Sequence, residues 1–403
     1  MKLPGWMESL VAEPRGPREG MDLVLLGSVL ALAGLGLVMV YSASSVMAFS
    51  KYGSDMYLAK KQAMYLGLGI FALWLGTRIR LDFYRRNVYR ILLASFLLLA
   101  LVLIPFIGVK VGGARRWFHM AGFSFQPSEL AKFALALYLS FSAAQKAGKL
   151  DRFSVGFLPH LLVASFMVGL VLLQPDLGTA VLLMAMTLVV LFVAGTRIVY
   201  IVAAVLAGAP VAWYAIVGTP WRMRRMIAFF EPEAHRRGAG YQVFESMVTL
   251  GSGGWTGQGL GAGRQKLFFL PEGHTDFILP VIGQELGLLG LTLVIGLLAV
   301  FLWRGLRTAI RAKDLFSSYL AFAVTSLVSM QALMNMGVVM GLLPTKGLTL
   351  PLVSFGGSSL VVTLFSVGVL LRISAGDPVR VTKRSQSRAG AVRFAGSSAG
   401  EVR

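Results

Sequence analysis

Apolar runs of 18 or more residues recur along most of the chain, from Leu23 to the neighbourhood of Ile373. Runs of that length belong to helices that cross a membrane. Only 14% of the residues are charged and the mean hydropathy is +0.72, whereas a soluble domain carries about a quarter charged residues. Too few polar faces remain to meet water, so a large soluble core is excluded. The expected fold is an all-α polytopic membrane protein.

About ten spans are expected, near 22–44, 61–78, 88–108, 127–146, 156–174, 177–195, 198–217, 275–302, 317–342 and 351–373. The first run, Leu23 to Val40, is too long for a signal-peptide core and follows Glu8, Glu13 and Glu19, so it reads as an uncleaved span. No internal repeat is visible. Residues 1–21 and 375–403 read as polar, disordered tails flanking a membrane domain over 22–374; the second tail is basic and suited to anionic lipid.

Lys and Arg set the orientation. With ten spans, one side holds the amino-terminal tail, Arg78 to Arg90, Lys146 to Arg152, Arg197, Arg304 to Lys313 and the carboxy-terminal tail, together 23 of the 38 basic residues. That side is expected to be cytoplasmic, with both termini inside. The net charge of +20 is split into short clusters between apolar runs, which suits topology and lipid rather than nucleic acid. With no cysteine, disulfide and thiol chemistry are excluded.

The other side receives the 109–126 loop, which is short yet carries Lys110, Arg115 and Arg116, against the positive-inside trend. A basic outer loop suggests an anionic ligand. A long extracytoplasmic segment, 218–274, separates spans seven and eight. Within it Trp221–Phe230 and Tyr241–Leu250 read as interfacial helices. Gly251–Gly263 contains seven glycines but lacks the strand and Lys-Ser/Thr of a phosphate loop, so tight turns on the membrane surface are expected.

The topology brings Arg115, Arg116, Gln126, Glu129, Lys132, Asp176, Arg264, Lys266, Glu272, His274, Asp276 and Lys346 to the outer ends of spans. Any one could cap a helix or pair with a neighbour, as Glu129 and Lys132 can at three-residue spacing. Their convergence suggests a polar outer cavity. Asp276, at the mouth of span eight, is either a helix N-cap or a general base strengthened by partial desolvation. His274 either assists it or fills the turn. Glu285, nine residues on and about 13 Å deeper on a continuous helix, reads as structural. Before span ten, Leu343 to Ser359 is broken by prolines, glycines and serines, as backbone lining a cavity can be. Lys346 there is either a phosphate contact or a snorkelling lysine.

Five stretches carry a resemblance. They are Arg115-Arg116-Trp117 with Gln126-Pro127-Ser128-Glu129-Leu130-Ala131-Lys132; Gln174-Pro175-Asp176-Leu177-Gly178-Thr179; Pro271-Glu272-Gly273-His274-Thr275-Asp276-Phe277-Ile278; Gly283-Gln284-Glu285-Leu286-Gly287; and Leu343 to Ser359. In order and spacing they resemble the SEDS (FtsW/RodA) family from first span to last. The Pro344–Pro351 stretch is nearer the family's division branch than its elongation branch. Gly273 and Gln284 are small departures from the usual pattern.

The resemblance implies a peptidoglycan glycosyltransferase that polymerises lipid II at the outer face of the bacterial cytoplasmic membrane, and the division-type stretch implies the division septum as its place. Its implied partners are a class B penicillin-binding protein, other divisome membrane proteins and membrane lipid. Asp276 matches the family's essential aspartate. The implied chemistry is an inverting displacement of undecaprenyl diphosphate, for which Lys132, Arg116, Arg115 and Lys346 are the cationic candidates, with Glu129, His274 and Ser358 as further substrate contacts. No metal cluster is visible at ligand spacing, and a divalent cation such as Mg2+ or Mn2+ on the diphosphate is compatible with the scheme. The competing expectation is a lipid II flippase, which should place charge along a path through the bilayer.

Overall fold

The computed structural model describes residues 20–376 except 112, 121, 122, 232, 233, 236, 237, 239, 264–271 and 346. Arg264, Lys266, Lys346 and both predicted tails, save residues 20–21 and 375–376, lie outside the described residues.

Among the described residues ten long helices overlap the ten expected spans. They are α1 (Leu23–Tyr52), α2 (Tyr57–Arg78), α3 (Leu81–Leu101), α4 (Pro127–Gln145), α5 (Leu158–Leu173), α6 (Leu177–Val193) and α7 (Ile198–Val217), then α10 (Ile278–Ile310), α11 (Leu315–Val339) and α12 (Gly357–Ala375). Two shorter helices, α8 (Pro220–Phe230) and α9 (Tyr241–Ser252), match the two amphipathic stretches. Six helices are long and apolar enough to cross a bilayer, counting α5 with the π-helical turn before it. The others differ for visible reasons: α6 has 17 residues, and α2, α3 and α4 carry charged residues within their length. The chain is a multi-pass membrane protein.

Within this all-α architecture the 109–126 loop is not helical. It forms a small antiparallel sheet, β1 (Val109–Val111), β2 (Ala114–Met120) and β3 (Phe123–Phe125), in the order β1-β2-β3. Lys110 pairs with Arg115, and His119 with Ser124. The alternation of β2 puts Arg115 and Arg116 on opposite faces.

Burial is uneven. Nearly every residue of α4 from Pro127 to Ser140 is buried, and α11 is buried along most of its length. By contrast α7 buries no residue. The ion pairs Asp22–Arg304 at 2.8 Å, Arg85–Asp314 at 2.6 Å and Arg197–Asp151 at 3.7 Å join the ends of α1 and α10, of α3 and α11, and the α4–α5 connection to α7. The clusters predicted to share one side are thereby brought to one end of the bundle.

The glycine-rich loop forms turns, most of them exposed, as the sequence leads one to expect, and these turns also pair with a break in α10. α10 is broken at Gly287, whose φ of 65° and ψ of −161° are open only to glycine. A break frees backbone groups that must find partners. The carbonyls of Gln284 and Glu285 accept from the amides of Gln258 and Gly259, at 2.9 and 3.0 Å. The amides of Leu288 and Leu289 donate to the carbonyls of Gly254 and Trp255, at 2.9 and 3.2 Å. The loop is the hydrogen-bonding complement of the break. A Cβ on Gly257 would fall 2.2 Å from the Glu285 carbonyl oxygen, so the approach needs a bare backbone. From Leu288 onward α10 still runs roughly 34 Å, enough to span. The break lies two residues beyond Glu285, so residues 278–286, which carry Glu285, form one short helical segment set off from the longer one that follows. Glu285 accepts from the Ser42 hydroxyl of α1 at 2.5 Å, a structural contact as expected.

Candidate active site

The turn Glu272–Phe277 leads into α10. Its form follows from Glu272, whose φ of 59° reverses the chain. The carbonyl of Glu272 then accepts from the amides of Thr275 and Phe277, and Thr275 Oγ1 donates to the Glu272 carboxylate at 2.9 Å. A non-glycine residue held in this region stores strain, which is typical of functional turns. The cap residue of α10 is Phe277, with no side-chain cap hydrogen bond. Asp276 is therefore not spent on capping, which removes the structural alternative the sequence left open.

Asp276 keeps some exposed surface but is hemmed in by protein on most sides. Burial pushes its carboxyl up to about 7, reinforced by the negative charges of Glu272 and Asp176 and opposed by Arg225 and Arg116. These five groups come from four places in the chain. Loop 347–350 closes over the carboxylate: a Cβ on Gly347 would stand 3.3 Å from Asp276 Oδ2. His274 is half-buried, with its ring tilted against Phe355 at 5.8 Å, and its backbone carbonyl accepts from the Phe355 amide at 3.0 Å. Burial lowers the pKa of its imidazole, with Lys51 acting in the same direction and Glu272 against it.

Arg116 is largely committed. Nε and Nη2 donate to the carbonyls of Gln174 and Pro175 at 2.7 and 2.5 Å, and Nη1 lies 3.9 Å from Asp176 Oδ2. Asp176 caps α6 through the amide and hydroxyl of Thr179, at 3.1 and 3.0 Å. Arg116 thus ties the sheet to the α5–α6 turn while its charge is felt at Asp276. Arg115, across the strand beside Lys110, is not brought into this group.

Lys132 and Glu129 form a second centre. Both are buried, with Nζ 2.7 Å from Glu129 Oε2 and 2.7 Å from Gln331 Oε1. A small cavity touches both, together with Gln331, Pro351, Thr363 and Ser366. Ser358 is tied to the helix start, its hydroxyl accepting from the Gln126 amide at 3.1 Å.

Arg225 is the site residue that sequence reasoning missed. The sequence places it only within the interfacial stretch Trp221–Phe230. In the structure it is half-buried on α8, with its guanidinium 5.0 Å from the Trp221 ring. Its charge reaches both Asp276 and Arg116. The available signal was three basic residues within four positions of an apolar segment, more than surface attraction requires. The larger open hollow, lined by Met247, Leu250, Trp255, Leu288, Leu291 and Met340, holds no ionisable side chain. Among the described residues no three His, Cys, Asp or Glu gather as a metal site.

Comparison with known proteins agrees with this arrangement. The family model described as "Cell cycle protein", of FtsW, RodA and SpoVE, matches residues 23–377. The chain is 46% identical to the probable peptidoglycan glycosyltransferase FtsW of Trichlorobacter lovleyi, over 88% of this chain and 93% of that one. It is 39% identical to the stage V sporulation protein E of Bacillus subtilis, over 88% and 96%. Among solved structures, a chain from a peptidoglycan synthase complex that coordinates polymerization and crosslinking superposes with a TM-score of 0.74 at 30% identity, over 88% of this chain and 97% of that chain. The rod-shape-determining protein RodA of Thermus thermophilus does so with 0.65 at 30% identity, over 88% and 96%. The chain belongs to the FtsW/RodA/SpoVE family.

Proposed function

We propose that this protein is a peptidoglycan glycosyltransferase that polymerises lipid II at the outer face of the cytoplasmic membrane, with Asp276 as general base. The observation that carries the reading is Asp276 itself. It is an acid enclosed by protein, free of capping duty, with its carboxyl pushed up to about 7 and two arginines within electrostatic reach. A base poised near the working pH transfers protons most effectively.

In the step proposed, the Asp276 carboxylate takes the proton of an acceptor sugar hydroxyl. The hydroxyl oxygen attacks the anomeric carbon of the donor from the face opposite the diphosphate. The bond from that carbon to the phosphate oxygen breaks, and its electron pair leaves with undecaprenyl diphosphate. Configuration inverts. Arg116 and Arg225 supply positive potential to the departing anion. Lys132, already shared between Glu129 and Gln331, acts as an internal cation beside the cavity; Lys346 remains a candidate contact next to Gly347. Ten spans over 22–374, both termini cytoplasmic, and an extracytoplasmic 218–274 segment complete the topology proposed.

The names of the relatives support a septal role, and the synthase complex supports a crosslinking partner, a class B penicillin-binding protein. In the flippase alternative, charge should line a path across the bilayer; here Glu272, Asp176, Arg225 and Arg116 gather around Asp276. The test is polymerisation of purified lipid II by the full chain with its partner in detergent, wild type against Asp276→Asn. Polymer from wild type and none from the folded variant supports the reading. Equal polymer from both discards Asp276 as the base, and none from either, with active partner, discards the polymerase.

A further inference from the structure

α11 turns two amide side chains, one helical turn apart, towards the site. Gln331 and Asn335 are 4% and 1% exposed. Asn335 Nδ2 donates to the backbone carbonyl of Asp276 at 2.8 Å and to that of Leu348 at 2.7 Å. Both neighbours can only accept, so the orientation of this amide is fixed and both its hydrogens are used. Its own oxygen is buried without a partner, so the side chain is placed for what it donates. Gln331 works the other way round: Oε1 accepts from Lys132 Nζ at 2.7 Å, while Nε2 donates to the Thr349 carbonyl at 3.0 Å.

Leu348 and Thr349 are consecutive. A continuous chain of contacts therefore runs from Glu129 to Lys132, through Gln331 to the loop backbone, and through Asn335 to the peptide that carries Asp276. On the other side of the turn the Phe355 amide holds the His274 carbonyl. We propose that Gln331 and Asn335 are positioning residues, a two-amide strut that sets the spacing between Lys132 and the Asp276 turn and holds loop 347–350 over the carboxylate. This rests on the reading of Asp276 as base. Neither amide touches the reacting atoms. Their effect is to fix the backbone on which the base is mounted, and small misplacements of a reacting group are costly to rate.

The groups facing Asp276 are Glu272 and His274 on its own turn, Asp176 at the start of α6, Arg116 on β2 and Arg225 on α8. None of them is on α11. Cutting the strut therefore leaves the local charges in place and changes only how tightly the carboxylate is enclosed. Admitting water should move the acid limb of the rate profile to lower pH.

The experiment is lipid II polymerisation by the full chain with its partner, using Asn335→Leu, Asn335→Ser, Gln331→Leu and the double leucine variant. Thermal melts serve to count folded protein. For Asn335→Leu the expected result is a fall in kcat of about 10- to 100-fold, little change in KM, and an acid limb shifted to lower pH. Asn335→Ser, keeping one donor, should fall between it and wild type, and it decides the matter if the leucine variant does not fold. The double variant should lose less than the product of the single losses, because both cut one strut. Wild-type kcat and pH profile per folded molecule, a rise in KM alone, or fully multiplicative losses would overturn the strut. An inactive Asp276→Asn beside a fully active Asn335→Leu sinks only this inference; a fully active Asp276→Asn sinks the base reading first.

Discussion

Two acids, buried Glu129 and half-buried Asp276, sit near opposite ends of the same strut in opposite company. Glu129 touches Lys132 at 2.7 Å, and the lysine has a second acceptor in Gln331. Charge, hydrogen bonds and burial are all balanced there. Asp276 has no comparable contact: the described residues give its carboxylate two arginines at electrostatic range and two like charges nearby. A balanced pair is a structural element; an unbalanced acid is a reactive one. The difference separates two residues that the sequence alone grouped together.

The largest way to break this comparison is through rate. Asp276→Asn should lower kcat by about 10²- to 10⁴-fold, the usual contribution of a positioned base. Glu129→Gln, which keeps size and removes charge, should act mainly on stability. Comparing the two polymerisation rates at equal folded protein checks this.

Stability should respond in the opposite order. Removing one partner of a buried pair costs about 3–5 kcal/mol, so Glu129→Ala should lower the melting temperature sharply, and Glu129→Gln with Lys132→Met should recover much of the loss. A double variant no better than Glu129→Ala would show that the pair is not balanced as described.

The pH dependence sharpens the contrast. The folded-state pKa of Asp276 is raised from 3.8 to about 7, so the native state binds more protons than the unfolded chain between those values. Its contribution to stability therefore falls as pH rises through that window. Asp276→Asn should melt higher than wild type at pH 8, with the gap closing towards pH 4. The polymerisation rate should rise through about pH 7 as the carboxylate ionises. The same ionisation thus favours rate and opposes stability.

The smallest effect belongs to the charged end. Arg85→Ala removes a partly exposed pair with Asp314 and should cost about 1 kcal/mol or less, read as a small shift in melting temperature with rate unchanged.

The sequence made the helices legible because apolar length is a one-dimensional quantity; Ile198–Val217 was located to the residue. It also marked Asp276, since an acid at the mouth of an apolar run stands out in any projection. Three things were hidden. The break at Gly287 looks like any glycine in an apolar helix, and its cause is a loop some thirty residues earlier. The β-sheet is formed by strands of three, seven and three residues, too short to show periodicity. The role of Arg225 depends on where α8 is laid down, and so on tertiary packing.

Asp22 has a further consequence, for biosynthesis. Its amide donates to Ser374 Oγ, 352 positions later, and its carboxylate holds Arg304. The pairing of the glycine loop with the α10 break can form soon after α10 leaves the ribosome. The contact of Asp22 with Ser374 cannot form until the last helix is in place, and the clamp on His274 waits for Phe355. A product ended before Asn335 would carry Asp276 without the amide that donates to its backbone carbonyl.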